Sequence, residues 1–486
     1  MQKVFFITVS ITASLFIHGC VVGPDYEAVK IKTNDVWHQK LVKGLTTGED
    51  TAVEWWQMLN DDTLNGLIKE AKGSNNDLEV AYWRVRQARA LRDFTTGKYY
   101  PNVDATGSYS RVRESDTGVL PPSAGATNDP YNLNAAGFDA TWEIDIWGQN
   151  KRAVESAQAS LDAEIEGYHD VLISLYAEVA RNYVQMRTAQ ARLKYAYDNI
   201  EAQKGTLELT KSRYKAELTT ELDVEQATLN LSNTESQVPV LISAEDAAIN
   251  RICVLLGKQP GELYEKLTAA GSIPALPTEI KMSLPAELLR QRPDIRKAER
   301  TLAAQNAKIG VAKADLYPTF TLNGNLGVTA SDFSDLGDIS RSGRYVFGPS
   351  FRWNIFDADR IKNNIRIEKA KTKQFYAIYE NTVLLALEEV ENSMTDYVQE
   401  IDRRALLEKS VQSARKSVEM VQSLYKNGLT DFQNVLDMQR MLSQQEDQLA
   451  QSQGSVISNL IRIYKALGGG WNDEELLKVE KDTETY

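Results

Sequence analysis

The chain repeats itself. Asp77–Pro101 aligns without a gap onto Asp294–Pro318 at an offset of 217 positions, pairing Ala81 with Ala298, Ala90 with Ala307, Tyr100 with Tyr317 and, just beyond, Gly107 with Gly324. Trp142 then pairs with Trp353 at an offset of 211. The same offset sets Tyr214-Lys215-x-x-Leu218-Thr219 on Tyr425-Lys426-x-x-Leu429-Thr430. The change of offset places the length differences in loops. A chain of 486 residues would otherwise suggest several unrelated globules. Two copies of one unit of about 210 residues mean instead that whatever one half builds, the other builds again.

Each unit follows the same plan. A helical stretch (about 75–98, and about 286–314) runs to Tyr-Pro, where proline stops it. Two segments of period-2 alternation follow. In the first unit Val103, Ala105, Gly107 and Tyr109 alternate with Asn102, Asp104, Thr106 and Ser108. Phe138, Ala140, Trp142, Ile144 and Ile146 alternate likewise with Asp139, Thr141, Glu143 and Asp145. In the second unit Phe320, Leu322, Leu326 and Val328 stand against Thr319, Thr321, Asn323 and Asn325, and Tyr345, Phe347, Phe351, Trp353 and Ile355 against Ser350, Arg352 and Asn354. The period predicts strands at about 101–112, 133–147, 318–329 and 344–356, each with one apolar and one polar face. Their length suits a membrane-crossing β-strand. Loops rich in Gly, Pro, Ser and Asp, 114–132 and 330–344, join the strands of each pair.

After each strand pair comes a long helical pattern. No proline occurs between Pro130 and Pro239, or after Pro349. Leu161, Ile165, Tyr168, Leu172, Leu175, Val179, Tyr183 and Met186 recur at steps of three and four, and Leu193, Tyr197, Ile200 and Leu207 extend the stripe. A helix over about 150–214 would be roughly 95 Å long, which suits a coiled coil or helical tube. Its counterpart covers about 360–425. Each turns, at Lys215–Thr220 or Lys426–Asp431, and returns as a helix over about 220–256 or 431–467.

Four strands cannot close a transmembrane barrel, since known barrels start at eight. An open edge in hydrocarbon leaves backbone groups unpaired at several kcal/mol each. Membrane strands therefore demand oligomerisation, to eight strands as a dimer or twelve as a trimer. The competing expectation is a small soluble sheet whose polar face meets water. Outside the N-terminus no apolar run approaches the ~18–20 residues of a spanning helix.

Other functions find little support. The net charge of −12 argues against a nucleic-acid partner, which requires a basic face. Cys20 and Cys253 are too few for a disulfide framework or a Cys-rich metal site, and Cys253, in an Ile-Cys-Val-Leu-Leu run, reads as a buried apolar residue. There is no HExxH, Walker A, GxSxG or CxxC, and His18, His38 and His169 are scattered, so no catalytic, cofactor or metal site is expected. Trp55-Trp56 and Trp142 read as apolar packing or an aromatic girdle rather than a ligand cage. Gly468–Gly470 reads as a helix C-cap, and 473–484 as a solvated acidic tail.

At the N-terminus, Lys3 precedes an apolar stretch from Val4 to Ile17, of signal-peptide length, which ends at Ile17-His18-Gly19-Cys20. A small residue before a cysteine resembles the lipobox of bacterial lipoproteins, which makes Cys20 the expected lipidation site. Ile17 and His18 stand where Leu and Ala or Ser are usual. Plain secretion is the alternative.

Taken together, Cys20-Val-Val-Gly-Pro-Asp-Tyr26, Trp55-Trp56 with Asp61-Asp62-x-Leu64, Leu284-Pro-Ala-Glu-Leu-Leu-Arg-Gln-Arg-Pro-Asp-Ile295, Ala307-Lys-Ile-Gly-Val-Ala312, Leu316-Tyr-Pro318 and Tyr464-Lys-Ala-Leu-Gly-Gly-Gly-Trp471 occur in an order that closely resembles the outer membrane factor family. These are the TolC-like exit ducts of tripartite efflux systems, here in their lipoprotein branch. The resemblance implies a homotrimer in the outer membrane with a 12-stranded barrel, four strands per chain. A 12-helix periplasmic barrel would continue it and dock onto an adaptor (membrane fusion protein) and an inner-membrane RND-type pump. The implied division is a signal peptide at 1–19, a lipidated N-terminal segment with a first short helix at 20–74, repeat 1 at 75–257, an equatorial linker at 258–285, repeat 2 at 286–467 and a tail at 468–486. The family's narrowing residues map onto Asp437, with Asn434 and Gln433 nearby, and a residue that helps hold the tip closed maps onto Asp223. The adaptor-contacting tip maps onto Tyr214, Lys215, Leu218 and Thr219, and onto Tyr425, Lys426, Gly428, Leu429 and Thr430. The family's tip turn carries glycine in both units, whereas the counterpart of Gly428 is Glu217, which puts the shape of the first turn in question. Two alternatives remain. A lipid-anchored coiled-coil adaptor or scaffold would lack a pore, and a general diffusion porin conflicts with the long helices.

Overall fold

In the computed structural model, which describes residues 21–29, 31–48, 53–113, 129–269 and 271–472, the alternating segments form one sheet. Strands β2 (Asn102–Val112), β3 (Tyr131–Ile144), β5 (Thr319–Ala330) and β6 (Gly343–Arg352) are antiparallel in the order β2-β3-β5-β6. The registers carry the repeat. Asn102 pairs with Thr141 in the first hairpin and Thr319 with Arg352 in the second, and these four positions are related by the offsets of 217 and 211. Trp142 Nε1 donates to the Tyr99 carbonyl and Trp353 Nε1 to that of Leu316, which are again repeat-related pairs.

The strands are preceded by α1 (Asp62–Ser74) and α2 (Asn76–Thr96) in the first half, and by α7 (Pro285–Gln291) and α8 (Pro293–Ala314) in the second. The stretch expected as one helix over 286–314 is broken at Arg292, because Pro293 pushes the preceding residue to extended φ and ψ. The long helices are α3 (Gln149–Lys215) and α10 (Arg360–Lys426), each 67 residues. The second return helix is α11 (Phe432–Ala466). The first is two helices, α4 (Glu221–Glu235) and α5 (Gln237–Leu255). Pro239 lies four residues past Glu235, where its ring would strike that carbonyl in a continuous helix. A short parallel pair, β1 (Leu45–Thr47) with β4 (Ile280–Met282), and the one-turn helices α6 (Tyr264–Leu267) and α9 (Ile339–Ser342) lie outside the expected elements. Three residues are too few to show a period.

Two compact units emerge. One is built from the described residues of Met1–Val29, Arg86–Ala163 and Ala298–Ile378, and contains the four-stranded sheet. Its N-terminal strand of chain is pinned. Val22 N–H donates to the Trp147 carbonyl, Arg152 bonds the Val22 carbonyl and Asp25, and the Tyr26 hydroxyl donates to Glu299 at 2.5 Å. Gly23, at φ +106°, is required here, since a β-carbon on it would lie 2.5 Å from the Gly310 Cα.

The other unit is built from the described residues of Lys30–Val85, Glu164–Lys297 and Tyr379–Tyr486. Trp55 and Trp56 lie in its core, Trp55 stacked on Tyr464 at 5.4 Å and Trp56 edge-on to Tyr176 at 4.6 Å, which is the packing reading and not a cage. Cys253 is buried. His169 is buried with its ring stacked on Trp471 at 4.3 Å. Arg292, in the motif 284–295, binds Asp294 through two nitrogens, Glu389 at 2.8 Å and the Ala466 carbonyl at 2.7 Å, tying α8 to α10 and to the end of α11. Most of the apolar stripe of α3 is buried as expected. Ile165 is half-buried and Tyr197 is 52% exposed.

Cys20, the signal segment 1–19, most of the first strand-joining loop and the tail 473–486 lie outside the described residues.

Candidate functional site

Two regions carry chemistry, the faces of the sheet and the helix turns. On the sheet, Val103, Tyr109, Phe138, Trp142, Leu322, Leu326, Tyr345, Phe347 and Phe351 project from one face and are exposed. The other face is a polar network. Asp139 accepts from Thr106 and from Asn325, Arg344 donates to Asn325 at 3.1 and 3.2 Å, and Asn323 donates to Ser350 at 2.8 Å. Among the described residues, neither outer edge, on β2 or β6, has a strand partner. Among the described residues no helix is long and apolar enough to cross a membrane, which says nothing against a β-barrel.

At the turns, one apolar cluster fixes which faces point outward. Ile200 and Leu207 of α3, Ala227 and Leu231 of α4, Val421 and Tyr425 of α10, and Phe432, Val435 and Leu436 of α11 are buried together. Burying that face of α11 leaves Gln433, Asn434 and Asp437 on its exposed side. Gln433 donates to Asp437 at 3.0 Å and Asn434 to the Thr430 hydroxyl at 2.9 Å. Asp223 is occupied differently. It accepts from the Thr219 hydroxyl and, at 3.5 Å, from the Thr220 N–H, so its carboxylate serves the start of its own helix. Asp223 and Asp437 share no hydrogen bond.

The two turns have one geometry. Glu217, at φ +57°, and Gly428, at φ +71°, both sit in the left-handed region. Glu217 N–H bonds the Tyr214 carbonyl and Leu218 N–H the Arg213 carbonyl. Gly428 N–H bonds the Tyr425 carbonyl and Leu429 N–H the Leu424 carbonyl. Both are complete Schellman caps. The turn therefore keeps its shape with glutamate in place of glycine. Lys215, Leu218, Lys426, Gly428 and Leu429 are exposed, and Thr219 and Thr430 half-buried.

The matched tyrosines diverge. Tyr214 is 44% exposed, whereas Tyr425 is 4% exposed and is a core residue in this chain rather than a free contact. Tyr425 packs on Phe432 at 5.3 Å, and the residue matching Phe432 at the 211 offset is Glu221. Arg213 covers the Tyr425 ring at 4.6 Å and donates to its carbonyl at 2.9 Å. Arg213 was invisible to sequence reasoning because its counterpart is Leu424.

Among the described residues no group of three His, Cys, Asp or Glu is placed to hold a metal ion. The described residues thus combine a four-stranded sheet that has one apolar and one polar face with two 67-residue helices. The chain belongs to the outer membrane efflux protein family, whose model matches it twice, over residues 67–258 and 284–469. It is 29% identical over 464 residues to nodulation protein T of Rhizobium leguminosarum bv. trifolii, covering 94% of this chain and 96% of that one. It is 30% identical over 422 residues to the pyoverdine export outer membrane protein OpmQ of Pseudomonas putida, covering 86% and 88%. Among solved structures, the outer-membrane channel OprN superposes with a TM-score of 0.85 at 36% identity, covering 93% of this chain and all of that one. The protein is an outer-membrane efflux component and not an enzyme.

Proposed function

We propose that three copies close their sheets into a 12-stranded barrel and their helices into a periplasmic tube. This forms the passive exit duct of a tripartite pump, fed by an adaptor and an inner-membrane RND-type transporter. The carrying observation is a sheet that exposes a continuous apolar face and ends in two edges unpaired among the described residues, an arrangement tolerable in lipid only when closed by other copies. Relatives named for pyoverdine export and for solvent efflux support the duct role, and their different cargoes leave selection to the pump. Drugs and other toxic compounds are the proposed cargo class. Cys20 is the proposed lipid anchor. The next residues support it, because Val22, two residues on, is bonded to Trp147 just past the end of β3.

At the tip, Asp437, repeated three times around a narrow axis, forms a focused negative ring that favours cations and resists anions. Asn434 and Gln433 flank it, Asp223 steadies the neighbouring turn, and the turn residues from Tyr214 to Thr219 and Lys426 to Thr430 meet the adaptor. The test is Asp437→Ala in cells. Uptake of a large hydrophilic antibiotic, normally excluded by the outer membrane, should rise, and sensitivity unchanged at equal protein level would refute the aperture assignment.

A further inference from the structure

The two open edges of the sheet fit one another, and the repeat specifies how. We propose that β6 of one protomer pairs with β2 of the next in a single register, in which Pro349 faces Tyr109, Ser350 faces Ser108 and Arg352 faces Thr106 of the next copy. This rests on the trimeric reading above and goes beyond it by fixing the seam residue by residue.

The internal pairings supply the rule. Shifting β2 by 217 and β3 by 211 turns the pair Asn102–Thr141 into Thr319–Arg352, which is the register observed in the second hairpin. The offsets read from the sequence thus reproduce the register of the second hairpin with no adjustment. The third junction, β3 with β5, joins the last strand of repeat 1 to the first strand of repeat 2. Around a closed ring, the equivalent junction joins the last strand of repeat 2 to the first strand of repeat 1 in the next copy. The same offsets carry β3 onto β6 and β5 back onto β2, so Phe138–Leu326 becomes Pro349–Tyr109, and Thr141–Asn323 becomes Arg352–Thr106.

Two further observations agree. First, the derived register keeps the faces in phase. Phe351 falls opposite Gly107, Trp353 opposite Ala105 and Ile355 opposite Val103 on the apolar side, while Arg352, Ser350 and Gly348 meet Thr106, Ser108 and Ser110 on the polar side. A slip by one residue would turn Phe351 and Tyr345 to the polar face. Second, β6 stops early. β3 continues through Trp142, Glu143 and Ile144, which pair with Leu322, Thr321 and Phe320. Their counterparts Trp353, Asn354 and Ile355 are outside any strand, with Ile355 84% and the adjoining Phe356 87% exposed. In the derived register these residues meet Ala105, Asp104 and Val103, and β6 then ends at Ile355, the counterpart of Ile144 at the end of β3. Arg352 then stands one diagonal from Asp104 of the next copy, within reach of a long side chain.

Four small polar-face positions, permuted, make the test. Full-length double variants are purified in detergent, their mass is measured by light scattering, and they are oxidised with copper phenanthroline. Ser108→Cys with Ser350→Cys, and Ser110→Cys with Gly348→Cys, are in register. Ser108→Cys with Gly348→Cys, and Ser110→Cys with Ser350→Cys, are two residues out of register. The in-register pairs should give covalent trimers on denaturing gels about tenfold more efficiently than the others, single-cysteine variants giving none. Better cross-linking by the out-of-register pairs, equal yields from all four, or no cross-link in a protein of trimeric mass would overturn the register. A wild-type mass that is not trimeric would instead overturn the trimer reading. Hydrogen exchange on the wild-type protein needs no cysteine. Slow exchange across 353–355 supports the extended β6, and fast exchange there contradicts it.

Discussion

Replacing Glu217 by glycine should stabilise the first helix turn. The residue is held at φ +57° in a Schellman cap whose twin uses Gly428 at φ +71°. A non-glycine residue in this region carries roughly 1–2 kcal/mol of steric strain. Glycine relieves it, and its greater freedom in the open chain takes back about 0.5–1 kcal/mol. The net gain is about 0.7 kcal/mol, roughly threefold in an opening equilibrium, since 1.4 kcal/mol is tenfold. The Glu217 side chain is exposed and has no hydrogen bond or ion pair among the described residues, so nothing else is lost. Gly428→Ala is the reverse experiment and a clean one, because a β-carbon there meets nothing within 4 Å. Native-state hydrogen exchange reads both turns through the amides that close them, Leu218 and Leu429. Protection at Leu218 should rise about threefold in Glu217→Gly, and protection at Leu429 should fall by a similar factor in Gly428→Ala. Unchanged or weaker protection at Leu218 would show that the glutamate side chain holds the turn and that the strain argument is wrong.

Two other perturbations follow from the second unit. Gly454 on α11 faces Thr188 on α3, and a β-carbon at 454 would lie 2.0 Å from the Thr188 Oγ1. Gly454→Leu should therefore destabilise by about 1–3 kcal/mol, lowering the thermal midpoint in detergent, while Gly454→Ala should be partly rescued by Thr188→Ala. Asp170 has its carboxyl pKa raised, chiefly by burial and then by the nearby Asp294 charge, against the opposing pull of Lys465, Lys297 and Arg292. The folded state thus holds this proton more tightly than the unfolded one, so this group's contribution weakens stability as pH rises through its folded pKa. Asp170→Asn should be more stable than wild type at neutral pH, and the difference in midpoint should vanish as pH falls below the ordinary carboxylate range. A difference that is the same at both pH values would contradict the assignment.

The fold was readable wherever a period ran long enough to average over single residues. Eight or more alternating positions expose each strand of the sheet, and the stripe from Leu161 to Leu207 exposes α3. Where few residues decide, the sequence is silent. Leu45–Thr47 and Ile280–Met282 pair through backbone groups, whatever their side chains. The divergence of Tyr214 from Tyr425 turns on one neighbour, Phe432 against Glu221, in stretches that otherwise match. The candidate aperture was reached through family resemblance, since a single aspartate on a helix surface has no pattern of its own. Burial of Phe432, Val435 and Leu436 adds the reason Asp437 faces outward.

The duct itself is tested most directly by planar-bilayer recording from the purified wild-type protein. Insertion should give a small conductance that is closed most of the time and selective for cations, as a constricted tube with an acidic ring requires. No conductance from a correctly folded protein would favour a lipid-anchored scaffold, and a large, permanently open pore would favour a porin; either would contradict the account.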